Sequence, residues 1–168
     1  MSGHSKWSNI KNKKAANDSA RSSVFTKLAK ALTVAARTGH GMNLAMEKAR
    51  AASMPKDNID RAITKGLGHG DNELIELIIE GFGPGGYAVI IQAVTDNSNR
   101  TVAEIRCLME KHGGSMGEPG SVGYMFEKNE EGYKPKYLMP VDDMEKAREF
   151  LNIVRENDDV QEIYANLG

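Results

Sequence analysis

The residues of this chain best suited to chemistry are cations, and they are crowded at one end. Lys6, Lys11, Lys13, Lys14, Arg21, Lys27, Lys30 and Arg37 fall within the first 38 residues, against one acid, Asp18. Up to Gly66 there are 13 Lys and Arg against 4 Asp and Glu, whereas Leu67–Gly168 holds 9 against 19. A formal net charge of −1 therefore conceals a basic segment joined to an acidic one. Cations at this density neutralise phosphates and release counterions, so the chemistry they point to is polyanion binding without sequence choice. Lys6, Lys11, Lys13, Lys14, Arg21, Lys27 and Lys30 are the candidate contacts of this first set. Trp7 lies in the same run. It can stack on an unpaired base or anchor a helical core, and packing is the stronger of the two readings.

A second set sits in Thr95-Asp96-Asn97-Ser98-Asn99-Arg100-Thr101, where a strand hands over to a helix. The N–H groups of a helix start favour an anion. Asn97, Asn99 and Arg100 are the candidates here, and capping by Asp96, Asn97 or Ser98 is compatible with that role. This site is expected to be distinct from the basic arm.

Other chemistries find little support. His4, His40, His69 and His112 lie mostly beside glycines, without metal-ligand spacing. Cys107 is the one cysteine and reads as a helix packing residue, not an activated thiol. Gly81–Gly86 has the glycine content of a phosphate cradle but lacks the Lys-Ser/Thr ending, so a hairpin turn is the better reading. No serine has a nucleophile-elbow context, and Glu156–Asp159 reads as solvated charge at a helix end. No catalytic residue, metal or cofactor is expected, and the chain is read as a non-enzyme. A basic helix can also lie on anionic lipid, but an alanine-rich stripe would bury weakly there. No signal peptide or membrane span is evident, which makes a cytoplasmic location the plain expectation.

The elements that must position these residues follow from periodicity. Val24, Leu28, Ala31, Leu32 and Ala35 recur at helical spacing. A second helix capped by Asn43 and a third opened by Pro55 and closed by Gly66 complete a three-helix basic bundle over residues 1–70. The period then changes to two. Leu74–Glu80 and Tyr87–Val94 read as a hairpin, residues 101–112 as a helix, Gly120–Phe126 and Tyr133–Pro140 as strands. A helix capped by Asp142 or Asp143 and a strand over Asp159–Asn166 close the chain. From Tyr87 the order is β-α-β-β-α-β, which predicts an α+β protein with a ferredoxin-like lobe over 71–168 and the Leu74–Glu80 strand added at its edge.

Several stretches together resemble one family. They are MSGHSKWSNIKNKKAA, FTKLAKALTVAAR, MPKDNIDRAITKG, EGFGPGGYAVIIQAVTDNSNRT, KHGGSMGEPGSVGYMF and DDVQEIYANL. The chain is similar to the YebC family, whose members are commonly labelled probable transcriptional regulatory proteins and which includes a mitochondrial translational activator of cytochrome oxidase subunit one. The resemblance implies a non-enzymatic protein associated with nucleic acid, either DNA or ribosomal or transfer RNA, including a ribosomal role in relieving stalls. Typical members are longer and carry an α/β domain between the strand ending at Phe126 and the one starting near Tyr133. Here Glu127–Gly132 stands in its place. The expected function is a nucleic-acid-binding regulator of gene expression, with an RNA- and ribosome-associated translation factor ahead of a DNA-binding transcriptional regulator. A protein-interaction module using the acidic lobe is a third reading. A monomer that binds no membrane is expected.

Overall fold

The computed structural model describes residues 21–68 and 73–168. Residues 21–38 form helix α1, followed by α2 (Met42–Ala51) and α3 (Lys56–Leu67). Leu32, Ala35, Ala45, Ala49, Met54, Ile59 and Ala62 close a core between them. Its small residues let the helices approach closely. At Gly66 a Cβ would stand 2.2 Å from the Thr33 carbonyl oxygen. Gly66 is therefore not the residue that ends α3: it is buried inside the helix, and α3 runs on to Leu67. The start of α2 also differs from expectation. Gly41, at φ 78°, occupies the N-cap, so the helix begins before Asn43.

The remaining chain builds strands β1 (Ile75–Phe82), β2 (Ala88–Thr95), β3 (Ser115–Met116), β4 (Phe126–Asn129), β5 (Gly132–Pro135) and β6 (Val160–Ala165), with helices α4 (Ser98–Lys111) and α5 (Met144–Arg155). Four strands form an antiparallel sheet in the order β3-β1-β2-β6, while β4 and β5 pair apart as a hairpin. β2 is buried along almost its whole length because both faces are covered. Val89, Ile91 and Ala93 pack with Ile105 and Met109 of α4 and with Ala147, Phe150 and Val154 of α5. Ala88 and Ile90, pointing the other way, pack with Val122 and Phe126.

The chain is thus an α+β protein, a helical region followed by an antiparallel sheet with two helices on one face. Within the sheet two strands differ from the sequence reading. β1 does not lie outside a βαββαβ unit; it is inserted between β2 and β3, which are both antiparallel to it and joined through α4. That is a split βαβ whose middle strand comes from earlier in the chain. β3 pairs only with Gly81 and Phe82, so the first part of β1 still forms a sheet edge. Gly120–Phe126 is not a strand. The backbone N–H groups of Gly120, Val122 and Gly123 donate to the Glu80 carboxylate, which leaves them no ladder to join. The segment forms instead a short 3-10 turn, Gly123–Met125. Cys107 is exposed on α4 and does not pack inside.

Candidate nucleic-acid interface

Lys6, Trp7, Lys11, Lys13 and Lys14 lie outside the described residues. Arg21, Lys27 and Lys30 follow one another up α1 but have different surroundings. Lys27 donates to the Arg155 carbonyl at the end of α5, while Gln161 Nε2 donates to the Lys27 carbonyl at 3.0 Å. Burial lowers the Lys27 ammonium pKa, with Asp158 opposing it. Lys27 thus joins α1 to the sheet lobe.

Lys30 and Arg100 meet on one acid. Lys30 Nζ donates to Asp159 Oδ1 at 2.9 Å, and Arg100 Nη2 reaches Asp159 Oδ2 at 3.3 Å. The Thr101 hydroxyl also donates to Oδ2, at 2.8 Å. Burial pushes the Asp159 carboxyl up, but the hydrogen bonds from Lys30, Thr101 and Arg100 outweigh it and hold the group below the usual carboxylate range. Arg100 is raised in turn, first by its hydrogen bond to Asp159, and it also pairs with Asp96 at 3.3 Å and Glu104 at 3.8 Å. Asn97 caps α4, its side chain accepting from Arg100 N at 3.1 Å. Asn99 is exposed on the first turn of the same helix.

Of these residues Lys30, Asp96 and Arg100 border a cleft of about 880 Å³. α1 contributes Arg21, Ser22, Phe25 and Lys30 to one wall. α3 contributes Asn58, Arg61 and Lys65, an i, i+3, i+7 stripe that a 3.6-residue period places on one face. Leu74, Asp96 and Arg100 close the third side. The two cation sets read separately in the sequence therefore share a border here: Arg21 and Lys30 of α1 face the same space as Arg100. Asn97 and Asn99 are not among its lining residues. Among the described residues, the ion pairs involve Lys30 and Arg100 but none of Arg21, Arg61 or Lys65. Arg61 instead donates to Asn58 Oδ1 at 3.1 Å, and the Arg21 guanidinium stacks over the Phe25 ring at 5.4 Å.

Sequence reasoning passed over Phe25, Arg61, Lys65 and Asp159. The α3 stripe was visible as a spacing but not as a wall, because its neighbour across the cleft lies in another helix. Asp159 sits in an acidic run that reads as solvated, and its burial depends on docking α1 against the sheet lobe. Among the described residues, no His, Cys, Asp and Glu cluster of three or more could hold a metal ion. No described helix is long and apolar enough to cross a membrane.

Two family models match the chain. That of the TACO1/YebC protein N-terminal domain covers residues 5–69, and that of the TACO1/YebC second and third domain covers residues 74–133. A "probable transcriptional regulatory protein" from Chlorobaculum parvum is 53% identical over 152 residues, covering 86% of this chain and 61% of that protein. The chain thus spans about three fifths of that relative's length. One of the same name from Kosmotoga olearia is 36% identical over an alignment covering 99% of this chain and 94% of the relative. That alignment extends over 236 residues against a chain of 168, so at least 68 of its positions have no counterpart in this chain. A crystal structure of a conserved hypothetical protein from Aquifex aeolicus superposes with a TM-score of 0.79 at 31% identity, covering 88% of this chain and 90% of that one. With more than half its length matched by these models, and a relative aligned along nearly all of it, the chain belongs to the TACO1/YebC family.

Proposed function

We propose that this chain is a non-enzymatic, nucleic-acid-binding regulator of gene expression that acts in the cytoplasm on RNA at the ribosome, as a translation factor that relieves stalling. The observation that carries the proposal is the cleft between α1, α3 and the start of α4, bordered by Arg21, Lys30, Arg61, Lys65 and Arg100. Asp159 offsets part of this charge through Lys30 and Arg100. Arg21, Arg61 and Lys65 remain available for phosphates among the described residues. Residues 1–20 add Lys6, Lys11, Lys13 and Lys14 to the same basic end of the sequence, with Trp7 among them. The contact is monomeric in this reading and involves no cofactor and no membrane.

The domain organisation belongs to the same proposal. Residues 1–70 form the nucleic-acid-binding unit and 71–168 the unit that orients it. The β4–β5 hairpin, turning through Glu130 and Glu131, stands where longer relatives insert a further domain. The Kosmotoga alignment, longer than this chain, is what a relative with an added segment would give.

A second reading is DNA-binding transcriptional regulation, favoured by the names of the relatives. The two separate by experiment. Ribosome pelleting across a salt series should retain the protein at low salt and release it as salt rises, and changing Lys11, Lys13 and Lys14 to Gln should flatten that dependence. Retention on genomic DNA footprints with no ribosome association would favour the second reading and refute the first.

A further inference from the structure

We propose that the cleft captures one unpaired RNA nucleotide, its base lodged against Phe25 and its flanking phosphates held by Arg61 and Lys65 of α3 and by Arg21 of α1. This deepens the nucleic-acid reading above and rests on it. The cleft's volume of about 880 Å³ lies in the range of small-ligand sites, which is room enough for a base turned out of its strand.

The lining is divided as such a guest requires. The interior is mixed: Met54, Ala62 and Thr33 are buried, and Phe25 and Leu74 are half-buried. Arg61 and Lys65 of α3 and Arg21 of α1 are exposed and take part in no ion pair among the described residues, so available cations stand on two sides of the opening, whereas Arg100 is offset by Asp96, Glu104 and Asp159. A single anion needs one such position, whereas a backbone passing over a captured base presents a phosphate on each side of it. Phe25, with the Arg21 guanidinium 5.4 Å from its ring centroid, supplies an aromatic group of the kind on which bases stack regardless of sequence. Ser22, Thr26 and Asn58 add polar groups near the same surface. A free mononucleotide shares this chemistry, and the measurement must separate the two.

The test is fluorescence anisotropy with a twelve-nucleotide oligouridine, a blunt RNA duplex of equal phosphate count, and UMP as competitor. The intact chain should prefer the single strand, and UMP should compete poorly. Phe25→Leu should weaken oligouridine binding by about tenfold, the scale of one lost base stack, and leave duplex binding unchanged. Phe25→Trp should restore it. Because Phe25 also touches the helical core, melting curves accompany each variant. Photocrosslinking of a 5-iodouridine oligonucleotide to the intact chain gives a readout that needs no variant, with the adduct expected on peptide 22–27. Equal affinity for duplex and single strand, with no effect of Phe25→Leu and no adduct at Phe25, overturns the captured base while leaving surface binding intact. UMP binding as tightly as the oligomer overturns the strand and leaves a mononucleotide site. Failure to bind any nucleic acid overturns the functional proposal itself.

Discussion

Replacing Asp159 with Asn should loosen the junction between the helical region and the sheet lobe. The substitution keeps the side chain's shape and its ability to accept from Thr101, but removes the negative charge facing Lys30 and Arg100. Breaking a fully buried ion pair by removing one partner costs about 3–5 kcal/mol. Asp159 is 5% exposed, whereas the Lys30 side chain retains 21% of its exposure and that of Arg100 45%, so water takes up part of the orphaned charge. The expected cost is therefore about 1–3 kcal/mol. At about 2–4 °C per kcal/mol for a chain of this size, the melting temperature should fall by roughly 2–12 °C. The pH dependence has a definite sign. A carboxyl held below its ordinary pKa contributes stability above the unfolded value of about 3.9, and that contribution disappears as pH falls through the folded-state value. The gap between the two proteins should be full at neutral pH and close in acid. The assay is thermal unfolding followed by circular dichroism from pH 7 to pH 3, with Lys30→Met and the double variant completing a cycle. Equal melting at neutral pH, or strictly additive effects of the two substitutions, would refute the coupling.

Other substitutions test separate parts of the fold. Glu80→Gln replaces a carboxylate that accepts from three backbone N–H groups, so amide exchange in residues 117–123 should accelerate and stability drop by about 1–3 kcal/mol. Gly66→Ala places a methyl against the Thr33 carbonyl and should destabilise the helical core by about 1–3 kcal/mol, read by chemical denaturation. Asn97→Ala removes the α4 cap at a cost of about 0.5–2 kcal/mol, and should leave RNA affinity almost unchanged because Asn97 does not line the cleft.

Much of the architecture was legible because local signals agreed with the tertiary outcome. The apolar run of β2, the cap at Asp143 and the alternation after Leu74 each specify their element directly. Legibility ended where a distant partner decides. Gly120–Val122 carries a strand-like pattern, yet a carboxylate from β1 claims its N–H groups. β1 itself reads as an edge, and only the short β3 beside it makes the end of the strand internal. The candidate site behaved the same way. Individual cations are plain in the sequence, but nothing in the spacing of Arg21, Arg61 and Arg100 announces a shared cleft. Asp159 appears solvated until Lys30 and Thr101 converge on it.

The most direct measurement of the nucleic-acid role is the salt dependence of oligouridine affinity for the intact chain and for Arg61→Gln/Lys65→Gln. Both side chains are exposed on α3, border the cleft and take part in no ion pair among the described residues, so folding should be little affected. Each phosphate contact on a single strand contributes about 0.7 to the log–log slope, so the double variant should bind more weakly and lose about 1.4 of that slope. Unchanged affinity and slope in a normally folded variant would contradict the placement of RNA in this cleft.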